Sequence, residues 1–314
     1  MCTQIVDNRH ISVLYRELVD SIEIFSDKKN IIVDCTLGMA GHAIGVIEKM
    51  SEGDIFIGFD ADIDNLCLAE KKLEKYAKSG IKIILINSNY VNLKQELALK
   101  GIDKITGIYY DLGLSSLHVD ESERGFSFRE EGPLDMRFDR TSGKTAADIV
   151  NGYTRDDLYK IFRQYGEEPA SNKIATAIVN RRKKMGKFVT TTDLVEVIGE
   201  VTRHPKAKTR IFQAIRIEVN KELENLEKSL NNAIELLEKD GKIFVISFHS
   251  LEDRITKNIL RRESRDCYCS DLICTCKHKK QIKILTKKPI IPSEEEQKMN
   301  SRSRSAKARL AVKI

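Results

Sequence analysis

Residues 30–60 read NIIVDCTLGMAGHAIGVIEKMSEGDIFIGFD, and their order decides the fold. Two short runs, NIIVDCT (30–36) and DIFIGFD (54–60), are apolar, rich in β-branched side chains, and each meets an acid at its end. Continuous hydrophobicity marks strands buried on both faces, as in a parallel sheet. Between them the glycine-bearing turn LGMAGHA (37–43) opens a helix running to about Met50. Strand, helix, strand is a βαβ unit, because parallel strands must be joined by a crossover.

Outward from this unit the alternation continues. In ISVLYRELVDSIEIF (11–25), Ile11, Leu14, Leu18, Ile22 and Phe25 recur every three or four residues, one face of an amphipathic helix. Residues 62–78 and 91–100 predict further helices; 81–86 and ITGIYYDL (105–112) predict the third and fourth strands. The pattern therefore predicts a parallel sheet with helices on both faces. It stops at 113–140, a Gly-, Ser-, Asp- and Arg-rich irregular stretch. Helical patterns follow at 154–165, 169–185, 191–201 and 209–238, with no convincing strand. Strand patterns return at GKIFVISFH (241–249), QIKILTK (281–287) and AKARLAVKI (306–314). The expected organisation is a discontinuous sheet domain, 1–112 plus 215–314, around an inserted helical domain, 113–214.

The chain has 314 residues, 41% hydrophobic and 32% charged, which excludes wholesale disorder. No apolar run approaches the ~20 residues that span a bilayer. The first ten residues lack the apolar stretch of a signal peptide. Seven cysteines show no even framework along the chain, so a reducing, cytoplasmic setting is expected. The net charge of +6 is uneven: −4 over 1–112, +3 over 113–214 and +7 over 215–314. A basic remainder beside an acidic first third fits a polyanionic partner or a merely lysine-rich solvated face.

The first strand-to-helix turn, DCTLGMAGH (34–42), lacks both the G-x-G-x-x-G of dinucleotide sites and the G-K-[ST] of a P-loop. Asp60 ends the second strand 22 residues after Gly38, where an acid accepts hydrogen bonds from ribose hydroxyls. Alternatively it caps the helix that follows. A glycine-poor turn with a strand-two acid suits adenosine without a pyrophosphate, and so S-adenosylmethionine rather than a dinucleotide. Asp111, at the end of the fourth strand, points to the same crevice.

The motifs DCTLGMAGHA, IGFDAD, DLGLSS, ERGFSF, GPLDMRFD, YGEE, TRIFQAIRIEVNKEL, ISFHSLEDR and NSRSRSAKAR together resemble the RsmH (MraW) family. They occur in family order from about His10 to about Leu310. The family comprises bacterial S-adenosylmethionine-dependent methyltransferases acting on N4 of a cytidine in 16S ribosomal RNA, in the decoding region of the small ribosomal subunit. The resemblance implies an α/β fold, the class I (Rossmann-like) methyltransferase sheet with an inserted all-helical domain for substrate recognition. It implies cofactor contacts at Ala40, Gly41, His42, Asp60, Tyr90, Asp111 and His118. Four positions depart from the family's usual residues: Cys35 and Ala40 replace glycines, Tyr90 a phenylalanine and His118 a glutamine.

Methyl transfer from a sulfonium is an in-line displacement that demands alignment and exclusion of water. The N4 amine is conjugated with its ring, so an acceptor for one of its hydrogens would help it become tetrahedral. Asp111 is the first choice for that acceptor and Asp135 of GPLDMR the second; Asp111 could instead only hold the cofactor. Residues 181–210 sum to +6. Arg181, Arg182, Lys183, Lys184, Lys206, Lys208 and Arg210 are expected to contact RNA phosphates. Phe126, Phe128 and Phe138 could stack on a splayed base or pack a core. His249 and Ser250 follow the fifth strand, where they either border the crevice or start a helix capped by Ser250, the reading preferred here. The cluster CYCSDLICTC places Cys267, Cys269, Cys274 and Cys276 within ten residues. Its C-x-C spacing departs from the usual C-x₂₋₄-C of structural zinc. A reduced loop without metal is expected, with a zinc site as the alternative. DNA, protein or a non-catalytic ribosome-assembly role remain the competing functions.

Overall fold

The computed structural model describes residues 12–269 and 276–314. The chain separates into two compact units, one running to Gly113 and resuming at Leu223–Ile314, the other Leu114–Glu222. In chain order the first unit contributes α1 (Tyr15–Ser21), β1 (Ile31–Asp34), α2 (Gly41–Ile47), β2 (Ile55–Asp60) and α3 (Ile63–Leu73). It continues through β3 (Lys82–Asn87), a 3₁₀ turn at Tyr90–Asn92, α4 (Leu93–Leu99) and β4 (Ile105–Asp111). The second unit is α5 (Ser116–Asp120), α6 (Ala146–Gly152), α7 (Arg155–Gln164), α8 (Ser171–Met185), α9 (Thr191–Val201) and α10 (Ala207–Asn220). The chain then returns through α11 (Glu222–Leu236), β5 (Leu237–Ser247), α12 (Ser250–Glu263), β6 (Ile282–Ile284), α13 (Glu294–Met299) and β7 (Lys307–Lys313).

The strands form one sheet in the order β3-β2-β1-β4-β5-β7-β6. From β3 to β5 all pairings are parallel, but β7 pairs antiparallel with both β5 and β6. The parallel pairing expected of the first four strands holds, and the sheet turns antiparallel only at β7. β6 arrives by a helical crossover through α12; β7 then turns back and fits between β5 and β6. Arg309 on β7 grips Asp253 on α12 through two hydrogen bonds (2.6 and 3.1 Å), which ties the reversed strand to the helix beside it.

The period of two sends alternate strand residues to two cores. Ile32, Phe56, Tyr109, Phe244 and Ile246 pack with Leu18, Ala43, Val46, Ile47 and Leu73, from α1, α2 and α3. Val33, Ile57, Ile108, Tyr110 and Val245 pack with Leu93, Leu97, Leu226, Leu230, Ile259 and Leu260, from α4, α11 and α12. The second unit has its own core, built on Ile149, Phe162, Ile178, Ile198, Phe212 and Ile215. α10 buries its apolar face there, which moves the far seam from 214/215 to 222/223. The expected single helix 209–238 is two helices, because Lys221 takes a left-handed conformation (φ 50°) between them. No glycine or proline marks that break. Among the described residues no helix is long and apolar enough to cross a membrane.

The turn after β1 is strained. Gly38 (φ 51°) and Ala40 (φ 63°) are both left-handed, and Ala40 is fully buried. An L residue in that region costs roughly 1–2 kcal/mol. Ala40→Gly relieves this strain but deletes a buried methyl worth ~0.8 kcal/mol, so stability should change by less than about 1 kcal/mol. Ala40→Val forces a β-branched side chain into a buried left-handed position and should lower stability by about 2–4 kcal/mol. Urea denaturation of the two variants measures both.

Candidate active site

Order and polarity place the site. β1 and β4 are parallel neighbours whose following strands lie on opposite sides, β2 beside β1 and β5 beside β4. A crevice opens at such a switch point, outside the carboxyl ends of the strands. Three acids occupy those ends on adjacent strands: Asp60 on β2, Asp34 on β1 and Asp111 on β4.

The turn between β1 and α2 is tied to these acids. Gly38 N–H donates to Asp60 Oδ2 (2.8 Å), and Asp62 N–H to Asp60 Oδ1 (2.8 Å). Thr36 N–H donates to Asp34 Oδ1 (2.9 Å), while Thr36 Oγ1 accepts from the Asp111 N–H (2.6 Å). The adjacent helix is capped by Asp62, which accepts from Asp64 N–H, so Asp60 is not the cap. At Gly41 the space of a Cβ is taken by Ser12 Oγ, 2.0 Å from the ideal position, so this glycine admits the preceding segment. His42 is buried; its Nε2–H donates to the Val13 carbonyl (2.9 Å), which leaves Nδ1 facing Asp111 Oδ2 at 3.5 Å. Tyr15 stacks on the His42 ring. Tyr90, at the start of the turn after β3, packs edge-on against Tyr110.

All three acids resist ionisation. Burial pushes Asp34 up to about 7; the Thr36 N–H and Tyr109 hydroxyl hold it down, and the Asp60 charge adds to the rise. Burial raises Asp60 to about 6 against the N–H groups of Asp62 and Gly38. Asp111 is held well above the usual carboxylate range by burial, then by the charges of Asp34 and Glu252. Its Oδ1 is buried with no hydrogen-bond partner among the described residues.

These residues fit S-adenosylmethionine. Its ribose hydroxyls and ammonium are donors, matching an edge made of acceptors, and its positive charge suits acids that no lysine or arginine of the described residues pairs with. Asp60 and Tyr90 are the groups that would hold it, and Asp111 ends β4 at the same edge. Asp34, Thr36 and Ser12 belong to this arrangement too, although no motif spacing singled them out. The one signal was the DCT that closes the first strand.

Other expected residues lie in the second unit. His118 is buried and caps α5: Ser115 Oγ accepts from the His118 N–H, and His118 Nδ1 accepts from the Ser115 N–H. Its ring packs against Phe126 and Phe138 at 4.9 and 5.0 Å. Phe126 is in that unit's core, whereas Phe128 is partly exposed beside Phe212. Both Asp135 carboxylate oxygens are taken by Arg137 (2.8 and 2.9 Å). Despite partial burial, that guanidinium holds Asp135 below its ordinary value. Among the cations, Arg181 pairs with Asp193 and lies over the Phe188 ring. Arg182 donates to the carbonyls of Val150 and Tyr153 (both 2.7 Å), and Arg210 pairs with Glu168. Lys183, Lys184 and Lys206 are exposed, and Lys208 half-buried.

Back in the first unit, His249, rather than Ser250, caps α12. Cys267, Cys269 and Cys276 come together, and Cys274 lies outside the described residues.

A family model described as the MraW methylase family matches residues 7–314. The chain is 44% identical over 315 residues to ribosomal RNA small subunit methyltransferase H of Clostridioides difficile (strain 630), covering 97% of this chain and 99% of that one. It is 44% identical over 313 residues to the protein of that name from Clostridium botulinum (strain Loch Maree / Type A3), covering 98% and 99%. The Finegoldia magna protein of the same name is 42% identical over 315 residues, covering 98% and 99%. Matched along nearly its whole length, with a turn and acids suited to a cationic adenosine cofactor, the chain belongs to the MraW methylase family and is a methyltransferase using S-adenosylmethionine.

Proposed function

We propose that this enzyme methylates N4 of a cytidine in the decoding region of 16S ribosomal RNA, in the cytoplasm, with Asp111 as acceptor for the amine hydrogen. The name of the relatives supports a small-subunit RNA substrate. The observation that carries the role of Asp111 is its unpartnered buried Oδ1 at the switch point.

S-adenosylmethionine, when bound, supplies an electrophilic methyl group. Asp60 and Tyr90 hold the nucleoside part, and the left-handed turn keeps its N–H groups on the acids. Asp111 Oδ1 accepts a hydrogen of the incoming amine, fixing the lone pair toward the methyl. The proton shed by the methylated amine passes to Asp111, whose raised proton affinity suits it to receive one. His42 Nδ1 lies 3.5 Å from the other carboxylate oxygen. The target base must leave its stack to reach this edge. Asp135, clasped by Arg137, shapes its own loop and takes no part in proton transfer. The inserted unit recognises the RNA, with Lys183, Lys184, Lys206 and Lys208 on phosphates; Arg181, Arg182 and Arg210 hold that unit together.

Three outcomes test this reading. Transfer of a labelled methyl group should go to small ribosomal subunits or 16S RNA, at cytidine N4; labelling of DNA or protein instead overturns it. Asp111→Asn should slow that transfer ~10²–10⁴-fold, with cofactor affinity by calorimetry changed far less; equal loss of both makes Asp111 a cofactor holder. Lys183→Glu with Lys184→Glu should make the salt dependence of RNA binding shallower, by about 1.4 in log K per log salt. An unchanged slope removes both lysines from the interface.

The acidic edge also sets a pH dependence. Asp34 and Asp60 hold protons in the folded chain up to about 7 and about 6, against an ordinary 3.8. Between those limits the folded state binds more protons than the unfolded one. Stability without cofactor should therefore fall as pH rises from ~4 to ~7, by at most ~1.4 kcal/mol per pH unit for each carboxyl. Asp34→Asn should flatten the slope, read by denaturation across that range.

A further inference from the structure

The loop between α12 and β6 brings three sulfurs to one point. Cys267, Cys269 and Cys276 are half-buried, and their Sγ atoms lie within 4.8 Å of one another. The Cys276 and Cys267 sulfurs are 3.8 Å apart. Thiolates held tetrahedrally ~2.3 Å from zinc lie ~3.8 Å from each other, so this edge already has the span of a zinc site. The Cys269 N–H donates to Cys267 Sγ (3.3 Å).

The two arms carrying the cysteines are braced independently of the sulfurs. Gln281 N–H and its side-chain amide both donate to Glu263 (2.8 Å each), and Lys280 N–H reaches Asp266 Oδ1. The rings of Tyr268 and His278 meet edge-on at 5.1 Å, across the arms. His278 Nε2 lies 3.6 Å from Glu263 Oε2, so that ring is engaged with the acid. Lys277, directly after Cys276, is left-handed (φ 51°) without being glycine, and so turns the chain where the sulfurs converge.

We propose that Cys267, Cys269 and Cys276 bind one zinc ion as three thiolates, closing the loop that leads into the last two strands. Each thiol releases its proton as its sulfur binds, so uptake of Zn²⁺ frees three protons; water or a further donor completes the tetrahedron. The site is structural, since methyl transfer needs no thiolate.

The test uses the full-length chain, purified under reducing conditions and titrated with Zn²⁺ and separately with Co²⁺. One zinc per chain should remain after dialysis, read by elemental analysis. The Co²⁺ form should show thiolate-to-cobalt charge-transfer absorption, which zinc then abolishes. Cys267→Ser with Cys276→Ser should lose both signals while still binding S-adenosylmethionine by calorimetry. Wild-type chain that retains no zinc and gives no charge-transfer band overturns the site. Undiminished zinc in the double variant overturns it too, by placing the metal elsewhere.

Discussion

Three carboxylates at the carboxyl ends of adjacent parallel strands are the constraint on which the rest depends. Burial opposes their ionisation, and the charge of Asp34 raises the proton affinity of Asp111 across the β1–β4 boundary. Such a cluster is tolerated only where backbone donors reach it. The turn after β1 supplies them, with Gly38 and Thr36 giving their N–H groups to Asp60 and Asp34. To do so the turn passes through left-handed backbone at Gly38 and Ala40. One acceptor, Asp111 Oδ1, is left over among the described residues, buried at the end of β4.

The second unit divides its cations by chemistry. Arg181, Arg182 and Arg210 each spend their planar donors on an acid, a ring or a pair of carbonyls within the unit. A guanidinium fork suits such fixed partners, while an ammonium on a flexible stem stays hydrated. The lysines at 183, 184 and 206 accordingly remain at the surface. A charge sum over 181–210 counts both kinds alike, and so overstates what a polyanion could meet.

Much of the fold was legible because buried strands and amphipathic helices leave periods in the chain. β1 to β4, α7, α8 and α9 lie close to where those periods place them. Strand direction leaves no period, which is why the antiparallel β7 was not foreseen. The Lys221 break leaves none either, since a left-handed lysine looks like any other lysine. In the site, Asp60 and Asp111 were visible because each ends an apolar run. Partners were not: His118 capping α5 and Asp135 gripped by Arg137 depend on contacts that spacing does not encode.

The chain by itself determined the fold class, the discontinuous order of its parts, the acids at the strand ends and, through long motifs in order, the family. These are local properties, carried by hydrophobic period, turn residues and runs of identity. Tertiary structure alone decided which carboxylate keeps an unpartnered oxygen, which cations are already spent, and which sulfurs meet. Those outcomes depend on desolvation and on partners distant in sequence, and both exist only once the sheet and the helical unit have closed their cores.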